Sequence, residues 1–147
     1  MAGDRGYDEA RAVYNGMIDK RPAAIARCRD VADVIACVRF GREHGAEIAV
    51  RGGGHNAAGL GVADGALVID LSLLRSTTVD PAGRTVRADA GCTWGDVDHA
   101  TVAFGMATPS GFVASTGVAG LTLGGGIGYL SRRFGRASCR ERVYGPV

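Results

Sequence analysis

Arg51-Gly52-Gly53-Gly54-His55-Asn56 is the segment with the clearest chemical potential, because three consecutive glycines bare the backbone directly ahead of an imidazole. Unshielded N–H groups can close on an anion such as a pyrophosphate, and glycine reaches the φ > 0 angles that such a nest needs. The imidazole that follows holds a ring nitrogen beside whatever the loop cradles. Taken alone, the loop reads equally as a mobile turn carrying a surface histidine. A second cluster favours the chemical reading: in residues 111–128, seven of eighteen positions are glycine and most others are small, apolar or hydroxylated. Such a segment costs much backbone entropy to order, so it is expected to be weakly structured until a flat, extended ligand covers it. A small-residue packing seam between helix and sheet is the structural alternative. Two such clusters in one short chain favour a large cofactor.

Other residue types that could carry chemistry are sparse. Cys28, Cys37, Cys92 and Cys139 form no C-x-x-C pair and have no ligand-like spacing with His44, His55 or His99, so neither a metal site nor a disulfide framework is expected. Seventeen basic and fifteen acidic residues are interleaved for a net charge of +2, which gives no nucleic-acid or membrane footprint. Arg132, Arg133, Arg136, Arg140 and Arg142 cluster near the end and read as a solvated surface. The N-terminus lacks a signal-like apolar core and no run approaches the ~20 apolar residues of a membrane helix, so a soluble, cytoplasmic protein is expected. A length of 147 residues suits one domain, but is short for a cofactor enzyme that also needs a substrate domain.

The elements that must position the two loops follow from pattern. Weak helical spacing covers residues 7–14, and residues 23–27 form a short apolar strand after Arg21-Pro22. Asp30 is a fitting N-cap for a helix in which Val31, Val34, Ile35 and Val38 recur at helical spacing, with Gly45 as its stop. Residues 47–50 are expected to be the strand that enters the first loop. A strand, helix, strand order implies α/β or α+β layering. Residues 67–69 form a buried run closed by Asp70, and residues 77–88 read as a hairpin turning at Pro81-Ala82-Gly83. Thr93 caps a helix expected to reach Phe104, with Trp94, Val97, Ala100, Thr101 and Phe104 on one face and Trp94 in the core. No repeat or low-complexity linker marks a domain boundary before the tail.

Taken together, Val50-Arg51-Gly52-Gly53-Gly54-His55-Asn56, Val68-Ile69-Asp70-Leu71-Ser72, Gly91-Cys92-Thr93-Trp94-Gly95-Asp96-Val97-Asp98 and residues 116–130 resemble the FAD-linked oxidases of the berberine bridge enzyme-like group. That group belongs to the vanillyl-alcohol oxidase and p-cresol methylhydroxylase (PCMH) superfamily. The resemblance runs from about Tyr7 to Arg136, in order and at sensible spacing. It implies an α+β, two-lobed FAD-binding domain of the PCMH type, incomplete here, with the dinucleotide bound between the lobes. The implied organisation is an N-terminal extension at 1–22, a partial FAD-binding domain at 23–136 and a divergent tail at 137–147.

The resemblance also assigns roles. Arg51, Gly52, Gly53, Gly54, His55 and Asn56 would be the pyrophosphate loop, with His55 bonded covalently to the flavin 8α-methyl carbon. Such a bond raises the flavin's potential and favours substrate oxidation; noncovalent binding, as in some relatives, is the alternative. Ser115, Thr116, Gly117, Gly120 and Gly126 would line the FAD, with Ile127 and Gly128 near the isoalloxazine or ribityl chain. Thr108 and Gly111 are further candidate contacts, and Asp70 and Leu71 would close the first lobe. Bicovalent relatives add a cysteine link at a position occupied here by Val113, so one covalent bond is expected, and Cys92 reads as a small buried residue.

After Arg136 the resemblance ends, and the substrate domain and the segment that usually supplies the catalytic base are expected to be missing from this chain. The expectation is a truncated or frame-shifted product, with a short relative carrying its own tail as the alternative. No residue can be assigned as the base. The implied function is that of the FAD-binding portion of an FAD-dependent oxidoreductase, a flavin oxidase of an alcohol, sugar or similar small-molecule substrate. A flavin-binding fragment without turnover, or one that binds nothing, are the alternatives.

Overall fold

The computed structural model describes residues 1–135. The tail at 137–147, the expected domain end at Arg136, and Cys139, Arg140 and Arg142 lie outside the described residues. The chain divides into two compact units, Met1–Leu74 and Arg75–Val147. No glycine, proline or low-complexity linker in the sequence announces that division. Among the described residues no helix is long and apolar enough to cross a membrane.

The first unit contains α1 (Tyr7–Arg11), β1 (Ala24–Arg27), α2 (Val31–His44), β2 (Ile48–Arg51) and β3 (Leu67–Asp70). The three strands form a parallel sheet in the order β1-β3-β2. Central β3 is buried along its whole length, as a continuous Leu-Val-Ile run between two parallel neighbours requires. Ala49, Val62 and Val68 form the core, with Val13, Ile18, Ile25 and Ala63 packed around them. Residues 1–22 are integral to this unit: Tyr7 is buried and its hydroxyl donates to the Pro22 carbonyl at 2.7 Å.

The caps of α2 fall where the sequence places them. The Asp30 carboxylate accepts from the Asp33 N–H at 2.9 Å, and Gly45 closes the helix at φ 61°. Its apolar stripe, however, lies open, with Val31, Ile35 and Val38 all exposed. The helix instead seats through Gly41, where an added Cβ would stand 2.5 Å from Ile48 Cδ1. Helical periodicity reveals that a stripe exists, not what covers it.

The second unit contains the antiparallel hairpin β4 (Thr77–Asp80) and β5 (Thr85–Ala88), then α3 (Trp94–Val102), α4 (Val118–Leu123) and α5 (Ser131–Phe134). Its core joins Trp94 and Val97 to Val86, Ala88, Val118 and Leu121. The Asp96 carboxylate accepts from the Thr93 N–H at 2.7 Å and from the Thr93 hydroxyl at 2.9 Å, closing the first turn of α3. The Arg75 guanidinium, bonded to the same carboxylate at 2.5 Å, holds it below the usual aspartate range. α3 stops before Phe104, which is exposed rather than on the packed face.

Candidate functional site

In the first unit the parallel register sets Arg27, Asp70 and Arg51 in one row at the carboxyl ends of the three strands. Crevices at that edge of a parallel sheet are where ligands bind in open α/β layers. Asp70 organises the row. Its Oδ2 accepts from Arg51 at 2.9 Å with both side chains buried, and its Oδ1 accepts from the Ser72 N–H at 3.0 Å. Arg51 also donates to the Ala12 carbonyl at 3.3 Å. A cleft of about 440 Å³ borders these residues and α1.

The glycine loop leaves β2 from this anchor. Gly54 takes φ 68°, a left-handed angle at which a side chain would be strained, and its carbonyl accepts from the Tyr14 N–H at 3.1 Å. The His55 ring stacks on Tyr14, with centroids 4.0 Å apart and planes 17° from parallel. The Asn56 side chain accepts from the Leu60 N–H at 3.1 Å and so braces the exit of the loop. The structure thus gathers residues 51–56 into one loop but divides their roles. Arg51 commits its guanidinium to Asp70 and acts as the loop's anchor, while Gly53 is exposed and Gly52, Gly54 and His55 are half-buried. Tyr14, the partner of His55, escapes sequence reasoning because no spacing links residues so far apart.

The second cluster is more ordered than its composition suggests. Six of its residues form α4, and its first part pairs with the segment before α3. The Trp94 N–H donates to Thr116 O at 3.0 Å, Gly95 N–H to Ala114 O at 2.8 Å and Val118 N–H to Cys92 O at 2.9 Å. These backbone bonds offset the entropy of ordering a glycine-rich chain.

Its glycines fall into two kinds. At Gly126 and Gly111 an added Cβ would stand 1.9 Å and 2.8 Å from Leu121 side-chain carbons, and at Gly128 it would stand 1.8 Å from the Ser110 carbonyl oxygen. Those three are fixed by packing within the unit. Gly120 lies in α4, yet among the described residues nothing beyond its chain neighbours and its own helix backbone lies within 4 Å of its missing Cβ. A helical glycine that internal packing does not require costs about 1 kcal/mol against alanine.

Two further features point outward from the unit's own needs. Among the described residues the buried Thr108 hydroxyl and the Trp94 indole N–H have no hydrogen-bond partner, and buried polar atoms of that kind mark places for a ligand or ordered water. Phe112, Val113, Leu123, Ile127 and Tyr129 are exposed, and the Phe112 and Tyr129 rings meet edge to face with centroids 4.9 Å apart. Gly117 is buried, Thr116 half-buried and Ser115 exposed. Cys92 is fully buried, its thiol donating to the Ser76 carbonyl at 3.3 Å. Unpaired polar atoms, an uncovered glycine and exposed aromatic and aliphatic side chains suit a flat, polar-edged aromatic cofactor.

Comparison with known proteins bears on which cofactor that is. The family model described as an FAD binding domain matches residues 22–140. (R)-6-hydroxynicotine oxidase of Paenarthrobacter nicotinovorans is 39% identical over 135 residues, covering 92% of this chain and 30% of that protein. The crystal structure of 6-hydroxy-D-nicotine oxidase from Arthrobacter nicotinovorans matches with a TM-score of 0.90 and 38% identity, over 92% of this chain and 30% of that one. Wild-type BBE-like 1 of Physcomitrella patens matches with a TM-score of 0.86 and 33% identity, over 93% and 30%. The chain therefore spans about 30% of the length of these relatives.

Proposed function

Since this chain belongs to the FAD binding domain family and shares the fold of PCMH-type flavin oxidases, we propose that it is the cofactor-holding part of an oxidase of an alcohol, sugar or similar small molecule, with FAD bonded to His55. FAD is the cofactor of the family. When bound, it supplies a two-electron acceptor for hydride removed from a substrate.

The chain's own residues bind and orient. Arg51, held by Asp70, fixes the start of the loop. Gly52, Gly53 and Gly54 offer backbone N–H groups to a pyrophosphate. Tyr14 presents one flat orientation of the His55 ring, which favours a single bond-forming geometry. In the second unit the Thr108 hydroxyl, the Trp94 indole N–H and the open face at Gly120 would supply polar and side-chain-free contacts, with Ser115, Thr116, Gly117 and Ile127 as further contacts that the family resemblance implies.

Gly120 is the observation that carries the reading, since among the described residues no packing beyond its own helix backbone accounts for a glycine there. Gly120→Ala is expected to leave the unit as stable or more so by about 0.4–1 kcal/mol, while weakening FAD binding at least tenfold in a titration followed by flavin fluorescence. Equal FAD affinity in the two proteins would remove Gly120 from the site. Failure of the unaltered chain to bind FAD would remove the reading for this chain. The alternative reading is a flavin-holding piece without turnover. It predicts bound FAD that no sugar or alcohol bleaches.

A further inference from the structure

Cys28 and Cys37 lie nine positions apart, in a pattern that suggests no bridge, yet the turn from β1 into α2 brings their sulfurs to 4.0 Å. Cys28 immediately follows β1 and is held there by its N–H, which donates to the Asp70 carbonyl at 2.9 Å. Cys37 lies on α2, on the side of the helix that also carries the seated Gly41. A disulfide needs sulfurs about 2 Å apart, so the approach still required is of the size of a side-chain rotation. We propose that Cys28 and Cys37 are an oxidation site for peroxides, closing into a disulfide that ties the end of β1 to α2.

The order of events follows from exposure. Cys28 is 1% exposed, whereas Cys37 is half-buried and is the thiol a small oxidant reaches. Burial, and next the hydrogen bond with Cys37, push the Cys28 thiol up to about 11, which makes it the poorer first nucleophile. Cys37 sulfur attacks a peroxide oxygen, the O–O bond breaks, and a sulfenic acid and water (or an alcohol) form. The sulfur loses two electrons and the peroxide gains them. Cys28 sulfur then attacks the Cys37 sulfur, the S–O bond breaks, and the departing hydroxide takes the Cys28 proton as water. The products are one disulfide and two molecules of water or alcohol and water. The strap forms beside the strand ends that carry Arg27, Asp70 and Arg51, on the scaffold of the glycine loop. It needs no flavin.

The test treats the full chain with a small excess of hydrogen peroxide, alkylates the remaining thiols and maps tryptic peptides. The expected product joins Cys28-Arg29 to peptide 30–39, with Cys92 alkylated only after unfolding. It should be absent from Cys37→Ser, and the thermal midpoint of the oxidised chain should rise by about 5 °C and fall back with dithiothreitol. The proposal is overturned if Cys28 and Cys37 remain free thiols, if Cys37 runs on to sulfinic acid unlinked, or if it pairs instead with Cys139 or a second chain.

Discussion

Asp70→Ala is expected to destabilise the Met1–Leu74 unit by about 3–5 kcal/mol, the cost of leaving a buried charge without its partner. Arg51 is buried with its guanidinium 2.9 Å from Asp70, and its other hydrogen bond runs to a single carbonyl, that of Ala12 at 3.3 Å. The same substitution deprives the Ser72 N–H of its acceptor. A typical domain is stable by about 5–15 kcal/mol, so a large share of the variant would be unfolded under mild denaturant. Asp70→Asn keeps an acceptor for Ser72 and a partner for Arg51 and should lose less. Urea unfolding followed by far-ultraviolet circular dichroism measures both. An alanine variant within about 1 kcal/mol of the unaltered chain, the range of an exposed pair, would show that the pair is not the anchor of the loop.

Gly128→Ala should be nearly as disruptive in the Arg75–Val147 unit, at about 3 kcal/mol or more, at or beyond the upper end for overpacking. The new Cβ would sit 1.8 Å from the Ser110 carbonyl oxygen and 2.7 Å from its carbon. Both obstacles are backbone, so no rotamer relieves them. Gly126→Ala meets the Leu121 side chain, which can turn away, and should cost less. Trp94, the chain's one tryptophan, lies in this unit's core and reports its unfolding by fluorescence. Equal midpoints for Gly128→Ala and the unaltered chain would contradict the close approach of residues 110 and 128.

The contrast among Gly120, Gly126 and Gly128 shows what was legible in the sequence and what was not. Composition marks the cluster as poor in side chains, but only coordinates separate glycines that packing demands from one that it does not. Features set by neighbouring residues were legible. The caps of α2 are local chemistry of Asp30 and Gly45, and the β4–β5 turn follows from Asp80, whose carboxylate accepts from the Gly83 N–H at 2.9 Å. Features set by distant residues were not. The β1-β3-β2 order, the Arg51–Asp70 pair, the Tyr14–His55 stack and the approach of Cys28 to Cys37 all arise when separated segments meet. Phe104 misled because it continued a helical pattern past the point where α3 stops.

The attachment of FAD at His55 is tested most directly by acid precipitation of the full chain after incubation with FAD, beside His55→Ala treated identically. Flavin absorbance should stay with the denatured pellet of the unaltered chain and pass wholly into the supernatant of the variant. A colourless pellet from the unaltered chain, or a pellet equally yellow from His55→Ala, would contradict a covalent bond at that residue.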